Sequence, residues 1–296
     1  MRTALRRLLE QRAQPLPPIW RNTILVIAAL GVLVASVWAW RSSGLATDDL
    51  DWLPILILLV VAAPLSLVLK AAEFALAARV AGQRPPTSRL LEIAVVSSAA
   101  NLLPLPGSLL VTVRSISEDG SSYGTALAAS AVPGLTWLGV TGVGGGIAIA
   151  IAGPPALGAL VIILGVIALG ATLMLFRSTA PRTGRVALAA SIVAVETGWL
   201  AASALRLGLA VTALGVDIEP AQALALSVAG ALTVAIGFLP GGLGLREALI
   251  AGLSPLIGLP FDTGVLLGSL DRVVWLAFLA VAGAVLATTR RAPARQ

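Results

Sequence analysis

The sequence predicts an all-α integral membrane protein with six full transmembrane helices, two re-entrant broken-helix hairpins and two inverted repeats. Three observations lead to this fold class. Of the 296 residues, 58% are apolar and 11% are charged, and soluble domains carry about twice that share of charge. Apolar runs long enough to cross a bilayer recur along the chain. Two further apolar runs are interrupted by Pro and Gly, at residues 103–107 and 239–244.

The composition also excludes several kinds of chemistry. Cysteine and histidine are both absent, which rules out disulfides, Cys–His metal sites, thiol nucleophiles and Ser-His-Asp catalysis. We therefore expect no metal and no cofactor, while enzymes that work through Asp, Glu, Arg or Lys remain possible. The basic residues are 19 Arg and one Lys, and they lie in short loops. They are interpreted as orienting the helices in the membrane, not as binding nucleic acid.

The elements follow in order. Residues 1–19 form a basic cytoplasmic segment, either a short surface helix or an unstructured tail. Residues 20–288 form a single transmembrane domain, which begins with a first span at 24–40, and residues 289–296 form a cytoplasmic tail. Residues 52–80 form a span that carries Lys70 and Glu73 one turn apart. The apolar arm 88–103 is about 24 Å of helix against a core of about 30 Å, so we expect 88–117 to be a re-entrant hairpin.

The second half of the chain continues with a span at 123–152, where Gly142 and Gly146 have a spacing suited to close helix contact. Residues 156–176 return across the membrane. The span 186–214 carries Glu196 and Arg206, and the second hairpin follows at 221–257. The last span, 263–287, contains adjacent Asp271 and Arg272.

The distribution of charge predicts the topology. Arg-rich segments at the N-terminus, 84–89, 177–185 and 290–295 are assigned inside, and acidic segments at 48–51, 217–219 and 262 outside. This places both termini in the cytoplasm and the protein in the inner (plasma) membrane. It requires each broken region to return to its own side. The repeats, about 52–152 and 186–287, are then inverted relative to each other, which is an architecture of transporters.

The second break is the strongest candidate for a ligand site. Its Gly residues let backbone approach a ligand, and the helix that we expect to start near Leu243 points its N-terminal amides at an anion. Arg246 can bind a phosphate with two parallel hydrogen bonds and keeps its charge. The alternative is a buried Arg246 ion pair that only folds the hairpin. The candidate backbone positions are Pro240, Gly241, Gly242 and Gly244.

Other charged residues are candidates for binding or coupling. Arg114 and Arg272 are further candidate anion ligands, although Asp271 and nearby carbonyls could simply neutralise Arg272. Glu247 is a candidate proton-coupling carboxylate next to Arg246. The remaining intramembrane charges are interpreted as structural, because long side chains near span ends can snorkel. These are Lys70, Glu73, Glu196 and Arg206, with Glu196 also a possible ion-coupling acid.

The second hairpin resembles a Pro-Gly-Gly-Leu-Gly-hydrophobic-Arg-Glu signature throughout residues 240–247. This signature belongs to the transmembrane region of lysylphosphatidylglycerol synthases and their stand-alone, flippase-like relatives. Arg272 stands where the last span of that family usually bears Arg. The first hairpin is similar at Asn101, Pro106, Gly107 and Arg114. It departs at Leu110 and Val111, where the family often has Gly and an acid, and near Val132 and Pro133, where a Glu-Arg pair is common.

The resemblance covers about residues 52–287 and implies an inner-membrane protein that moves lipids between leaflets. No soluble synthase domain follows residue 287, so aminoacyl transfer is not implied. The expected function is a lipid translocase whose partner is an anionic, phosphate-bearing or polyprenyl-phosphate-linked membrane lipid. The alternatives are an intramembrane transferase using Glu247 or Asp271 as a base, and a scaffold. The longest polar loop, 41–51, is short for holding a water-soluble donor, and no Walker motif is present, so we expect ATP-independent movement.

Overall fold

The computed structural model describes residues 50–100, 107–236 and 244–291, together with Val34, Val37, Trp38, Trp40 and Arg41. These parts of the chain are helical and contain no strand. Their helices, in chain order, are α1 (Trp52–Val80), α2 (Thr87–Ala100), α3 (Gly107–Glu118), α4 (Tyr123–Ala152), α5 (Pro155–Thr179), α6 (Arg185–Ala213), α7 (Pro220–Ile236), α8 (Leu245–Leu253) and α9 (Phe261–Arg291). A 3₁₀ turn, Ser254–Ile257, follows α8.

Five of these helices, α1, α4, α5, α6 and α9, are long and apolar enough to cross a membrane. On α5, Ile163, Val166 and Ile167 are more than half exposed, and an apolar surface of this kind is expected against lipid tails. The chain is therefore a multi-pass membrane protein. The five helices coincide closely with five of the predicted spans. The predicted first span, 24–40, lies outside the described residues except at Val34, Val37, Trp38 and Trp40.

The first broken region folds as a hairpin of α2 and α3, which pack against each other. Its two ends lie together at the C-terminal end of α1. There the Gln83 Nε2 donates to the Ile116 carbonyl at 2.9 Å and to the Ser121 Oγ at 2.8 Å. Arg89, at the start of α2, pairs with Asp119 just after α3. The residues that join the two arms, 101–106, are outside the described residues.

The second broken region, α7 and α8, opens at the opposite end of the bundle. Gln222, in α7, donates through Nε2 to the Ile257 carbonyl at 2.7 Å, which joins the two ends of the hairpin. This end also contains the start of α1, because the Asp51 amide donates to the Ala213 carbonyl at the end of α6 at 3.0 Å. Since α1 connects the two ends of the bundle, the contacts of Gln83 and those of Gln222 lie at opposite ends of it.

Helices α4 and α5 pack through glycines. A Cβ on Gly142 would lie 2.7 Å from the Gly165 Cα, and one on Gly146 would lie 2.8 Å from the Ile162 amide nitrogen. Real Cβ atoms do not approach backbone so closely, so only glycine permits this helix separation. The packing role predicted for Gly142 and Gly146 is confirmed.

A π-helical turn, Leu58–Ala62, interrupts α1. Pro64 has no amide proton to give to the Val60 carbonyl, and the Ala63 amide instead donates to the Leu58 carbonyl five residues back. The wide turn packs against Val274 of α9. One turn later, the Ser66 Oγ donates to the Ala62 carbonyl at 2.8 Å, and this places Ser66 in the interior of the bundle.

Candidate functional site

A cluster of five charged side chains lies where α6, the start of α8 and α9 meet. Asp271 of α9 is at its centre and is fully buried. Its Oδ1 accepts from the Arg206 Nε at 2.8 Å and lies 2.8 Å from the Arg206 Nη2. Its Oδ2 accepts from the Arg246 Nη1 at 2.7 Å. Asp271 therefore holds together an arginine of α6 and an arginine at the start of α8.

The second ion pair of the cluster, Arg272 with Glu247, lies at the N-terminus of α8. The Arg272 Nε donates to the Glu247 Oε1, and the Glu247 Oε2 accepts from the Gly244 amide at 2.9 Å. An acidic side chain at this position satisfies one of the unpaired amides of the helix start and interacts favourably with the helix dipole. Gly244 has φ of +80°, a conformation that side chains disfavour, so this glycine shapes the turn into α8.

The cluster carries an excess of positive charge. Counted over the described residues, it contains three guanidinium groups, of Arg206, Arg246 and Arg272, and two carboxylates, of Asp271 and Glu247, which gives a formal charge of +1. A net charge within an apolar bundle is costly unless a further group compensates it. The cluster is therefore suited to accept one negative charge.

The three arginines differ in how firmly they are held. Arg206 also donates to the Ser66 Oγ at 3.4 Å, and its guanidinium carbon lies 4.8 Å from the centroid of the Trp275 ring, a cation–π contact. Its side chain is 10% exposed, that of Arg272 13% and that of Arg246 23%. Among the described residues, Asp271 is the one hydrogen-bond acceptor of Arg246. Arg246 is thus the most accessible cation of the cluster.

The geometry differs from two of the alternatives considered for these residues. Asp271 does not neutralise Arg272, because adjacent residues of a helix point about 100° apart. Asp271 faces Arg206 and Arg246, while Arg272 faces Glu247. The idea that Arg206 and Glu196 snorkel to the membrane surface also fails, since they are 8% and 1% exposed. Both lie in the interior, facing other helices.

The remaining predicted site residues lie elsewhere. Arg114 is 82% exposed, pairs with Glu118 at 2.8 Å, and lines an open groove of about 530 Å³ beside Tyr123. It is not part of the buried cluster. Lys70 pairs with Glu73 at 2.8 Å on α1, and both side chains are 20% exposed. Three predicted positions, Pro240, Gly241 and Gly242, lie outside the described residues.

Sequence reasoning missed two residues of the site, Ser66 and Trp275, both of which contact Arg206. For each residue, its spacing in the sequence could have pointed to the site. Ser66 lies one turn before Lys70 on α1, and Trp275 lies one turn after Asp271 on α9, so each shares a helix face with an intramembrane charge. Within the described residues, no group of three or more Asp or Glu could hold a metal ion.

The chain was also compared with known proteins. No protein-family model matches it, and no curated protein gives a significant match.

Proposed function

We propose that this protein is a flippase-like lipid translocase that moves an anionic, phosphate-bearing or polyprenyl-phosphate-linked lipid across the inner membrane. In this proposal both hairpins are re-entrant, the two halves are inverted repeats, and both termini are cytoplasmic. The observation that carries the proposal is the buried cluster of three arginines and two carboxylates, with its formal charge of +1. The resemblance of residues 240–247 to the flippase-like family points in the same direction.

Arg246 is the proposed contact to the phosphate. Its Nη1 donates to Asp271, and its planar guanidinium has further N–H groups in the geometry that a phosphate accepts. It lies in the first turn of α8, where the helix dipole also favours an anion. The lipid tails remain against the apolar outer surfaces of the helices, so that the protein has to accommodate the head group alone.

The arrangement around Asp271 supports a cycle in which Arg246 binds and releases a head group. Asp271 is bound by two arginines, and Arg206 is held in place by Ser66 and Trp275. When Arg246 turns from Asp271 to a phosphate, Arg206 still compensates the buried carboxylate. The hairpins open at opposite ends of the bundle, and alternating movement of the two halves would expose the site to each leaflet in turn.

A transferase is less well supported. A general base needs an oxygen that is free to take a proton from the substrate. Both oxygens of Asp271 already accept from arginines, and both oxygens of Glu247 accept from Arg272 and from the Gly244 amide. Either carboxylate would first have to give up an interaction that holds the hairpin in place.

The proposal is tested in liposomes with the purified protein and head-group-labelled phosphatidylglycerol or polyprenyl phosphate, by following how fast a membrane-impermeant quencher reaches the label. The wild-type protein should accelerate exchange between leaflets. Arg246→Ala should abolish the acceleration, and Arg246→Lys should reduce it at least tenfold, because lysine keeps the charge and loses the paired hydrogen bonds.

The matched control is Arg177→Ala, which removes an exposed arginine at the end of α5 and should leave the rate unchanged. Equal rates for wild type and Arg246→Ala would overturn the proposal. Covalently altered lipid without exchange would favour the transferase. If Arg246→Ala did not fold and Arg246→Lys were fully active, Arg246 would be a structural cation.

A further inference from the structure

Apart from the charged cluster, a line of polar side chains runs through the bundle between α1 and α6. On each helix the polar residues are spaced three or four positions apart, which places them on one face. The two helices are antiparallel: Gly198 lies against Leu69 near the middle, and Ala213 meets Asp51 at one end. The polar faces therefore lie opposite each other. Their residues are Ser66, Lys70 and Glu73 on α1, and Glu196, Trp199, Ser203 and Arg206 on α6.

Glu196 is the acidic residue of this line with a buried oxygen that has no hydrogen-bond partner among the described residues. It is 1% exposed, and its Oε1 is buried with no hydrogen bond to any described residue. An ionised carboxylate in such a place costs several kcal/mol unless it is paired. The ionised form is therefore strongly disfavoured unless a cation, a proton or water completes its environment.

Two further buried polar atoms without partners among the described residues lie on α6 itself and on the neighbouring helix α4. One is the Nε1 of Trp199, one turn from Glu196 on α6, and the other is the Oγ1 of Thr141 on α4. Gly144 of α4 is packed against Leu200 of α6, and the two helices run in the same direction. Thr141 lies one turn before Gly144, and Glu196 lies one turn before Leu200, so both are at the same depth. Buried polar groups rarely stay unsatisfied, and three of them at a similar depth of the bundle favour a polar environment around Glu196.

The charges that face Glu196 were considered on every helix packed against α6. On α1 they are Lys70 and Glu73, which are paired and close enough to interact electrostatically with Glu196. Helices α4 and α7 present no charged residue, and Tyr123 lies at the far end of α4. On α9, Asp271 and Arg272 lie near Arg206, about 15 Å along α6 from Glu196. Lys70 is thus the nearest cation, and it already forms an ion pair with Glu73.

The site is sealed on one side. Beyond Glu196, toward the end of the bundle where α6 begins, Ile192 packs with Leu76, Val80 and Val132 in a buried apolar cluster. On the other side, the polar line continues through Ser203 and Ser66 to Arg206. In this structure the polar positions therefore continue from Glu196 toward the cluster that holds Arg246, while apolar side chains separate Glu196 from the nearer end of the bundle.

From this geometry we infer that Glu196 is a proton-binding site that couples a proton gradient to the movement of lipid. The inference rests on the function proposed above and names its energy source. With a proton on Glu196, Lys70 stays on Glu73, as in this structure. When the proton leaves, Lys70 is the cation that can turn to Glu196, which frees Glu73. The step forms or breaks one O–H bond, and the proton comes from water on one side of the membrane and leaves on the other.

The site can be tested without any transport. Purified full-length protein in lipid nanodiscs is examined by infrared difference spectroscopy during pH steps around neutrality, where a protonated carboxyl group gives a separate C=O band. We expect such a band in the wild type, its loss in Glu196→Gln, and no change in the control Asp217→Asn, which alters an exposed loop acid. If Glu196→Gln fails to fold, Glu196→Asp should shift the band. A band unchanged by either variant, or no band at all, overturns the inference.

The coupling is tested in the liposome assay with an imposed pH gradient. The wild-type rate of leaflet exchange should change with the gradient, and the rate of Glu196→Gln should not respond to it. A response to a sodium gradient in place of the proton gradient would overturn the proton assignment. Exchange that depends on Arg246 but ignores the pH gradient would remove the inference and leave the translocase standing. An infrared band from Glu196 without any lipid exchange would remove the translocase and leave a proton site without its proposed role.

Discussion

Removing the charge of Asp271 provides a quantitative test of the buried cluster. The two arginines approach its oxygens at 2.7 and 2.8 Å, which places the charge centres about 4 Å apart. At an effective dielectric constant of about 20, each contact contributes about 4 kcal/mol of attraction, or roughly 8 kcal/mol together. Several kcal/mol are returned because the carboxylate no longer needs to be buried. We therefore expect Asp271→Asn to lower the free energy of unfolding by about 3–5 kcal/mol.

The interaction itself is isolated by a double-mutant cycle with Arg206→Met. Unfolding in mixed micelles with an increasing fraction of denaturing detergent gives the free energy for the wild type, both single variants and the double variant. The double variant should lose about 2 kcal/mol less than the sum of the singles. Once Arg206 is Met, Asp271→Asn leaves only Arg246 unpaired, whereas in the wild-type background it leaves both Arg206 and Arg246 unpaired. Arg89→Met with Asp119→Asn is the control cycle, since this pair is about one third exposed, and its coupling should be below about 1 kcal/mol. Additive losses at Arg206 and Asp271 would refute the reasoning.

Two more predictions concern packing and topology. Gly146→Leu should separate α4 from α5 and lower the free energy of unfolding by more than about 2 kcal/mol, whereas Gly170→Leu, at an open position of α5, should have little effect in the same titration. In this cysteine-free chain, Glu118→Cys and Ser178→Cys should react with an impermeant thiol reagent from the cytoplasmic side, and Ile218→Cys from the other; labelling of the first two from opposite sides would remove the re-entrant first hairpin.

The long helices were predictable because a bilayer imposes a simple rule on sequence. A segment of 25 to 30 apolar residues has to satisfy its backbone within one helix, so hydropathy alone placed five spans within a few residues of the observed helices. A close helix contact at Gly142 and Gly146 followed from their spacing, whereas the identity of α5 as the partner did not. The π-helical turn at Leu58–Ala62 was not predicted, because Pro64 lies within an apolar run that reads as continuous helix.

The site was only partly predictable. Arg246, Arg272, Asp271, Glu247 and Arg206 were all candidates, since a charge within an apolar run is conspicuous. Their pairing was not, because it depends on the direction each side chain takes and on which helices meet. Arg206 and Asp271 are 65 residues apart, and no feature of the sequence links them. Because Asp271 and Arg272 are adjacent in the chain, the sequence suggested that they form an ion pair. In the structure, Asp271 pairs with arginines of α6 and α8, and Arg272 pairs with Glu247 of α8.

The most direct test of the central claim compares two head groups in one population of liposomes. Phosphatidylglycerol and phosphatidylcholine carry distinguishable labels, and leaflet exchange of both is followed at once with the wild-type protein. Because the cluster has one positive charge in excess, a lipid of net negative charge should exchange at least tenfold faster than a zwitterionic one. In Arg246→Ala the ratio should fall to the ratio measured in liposomes without protein. Equal exchange of both lipids by the wild type would contradict the account, because the protein would then move lipids without using its arginines.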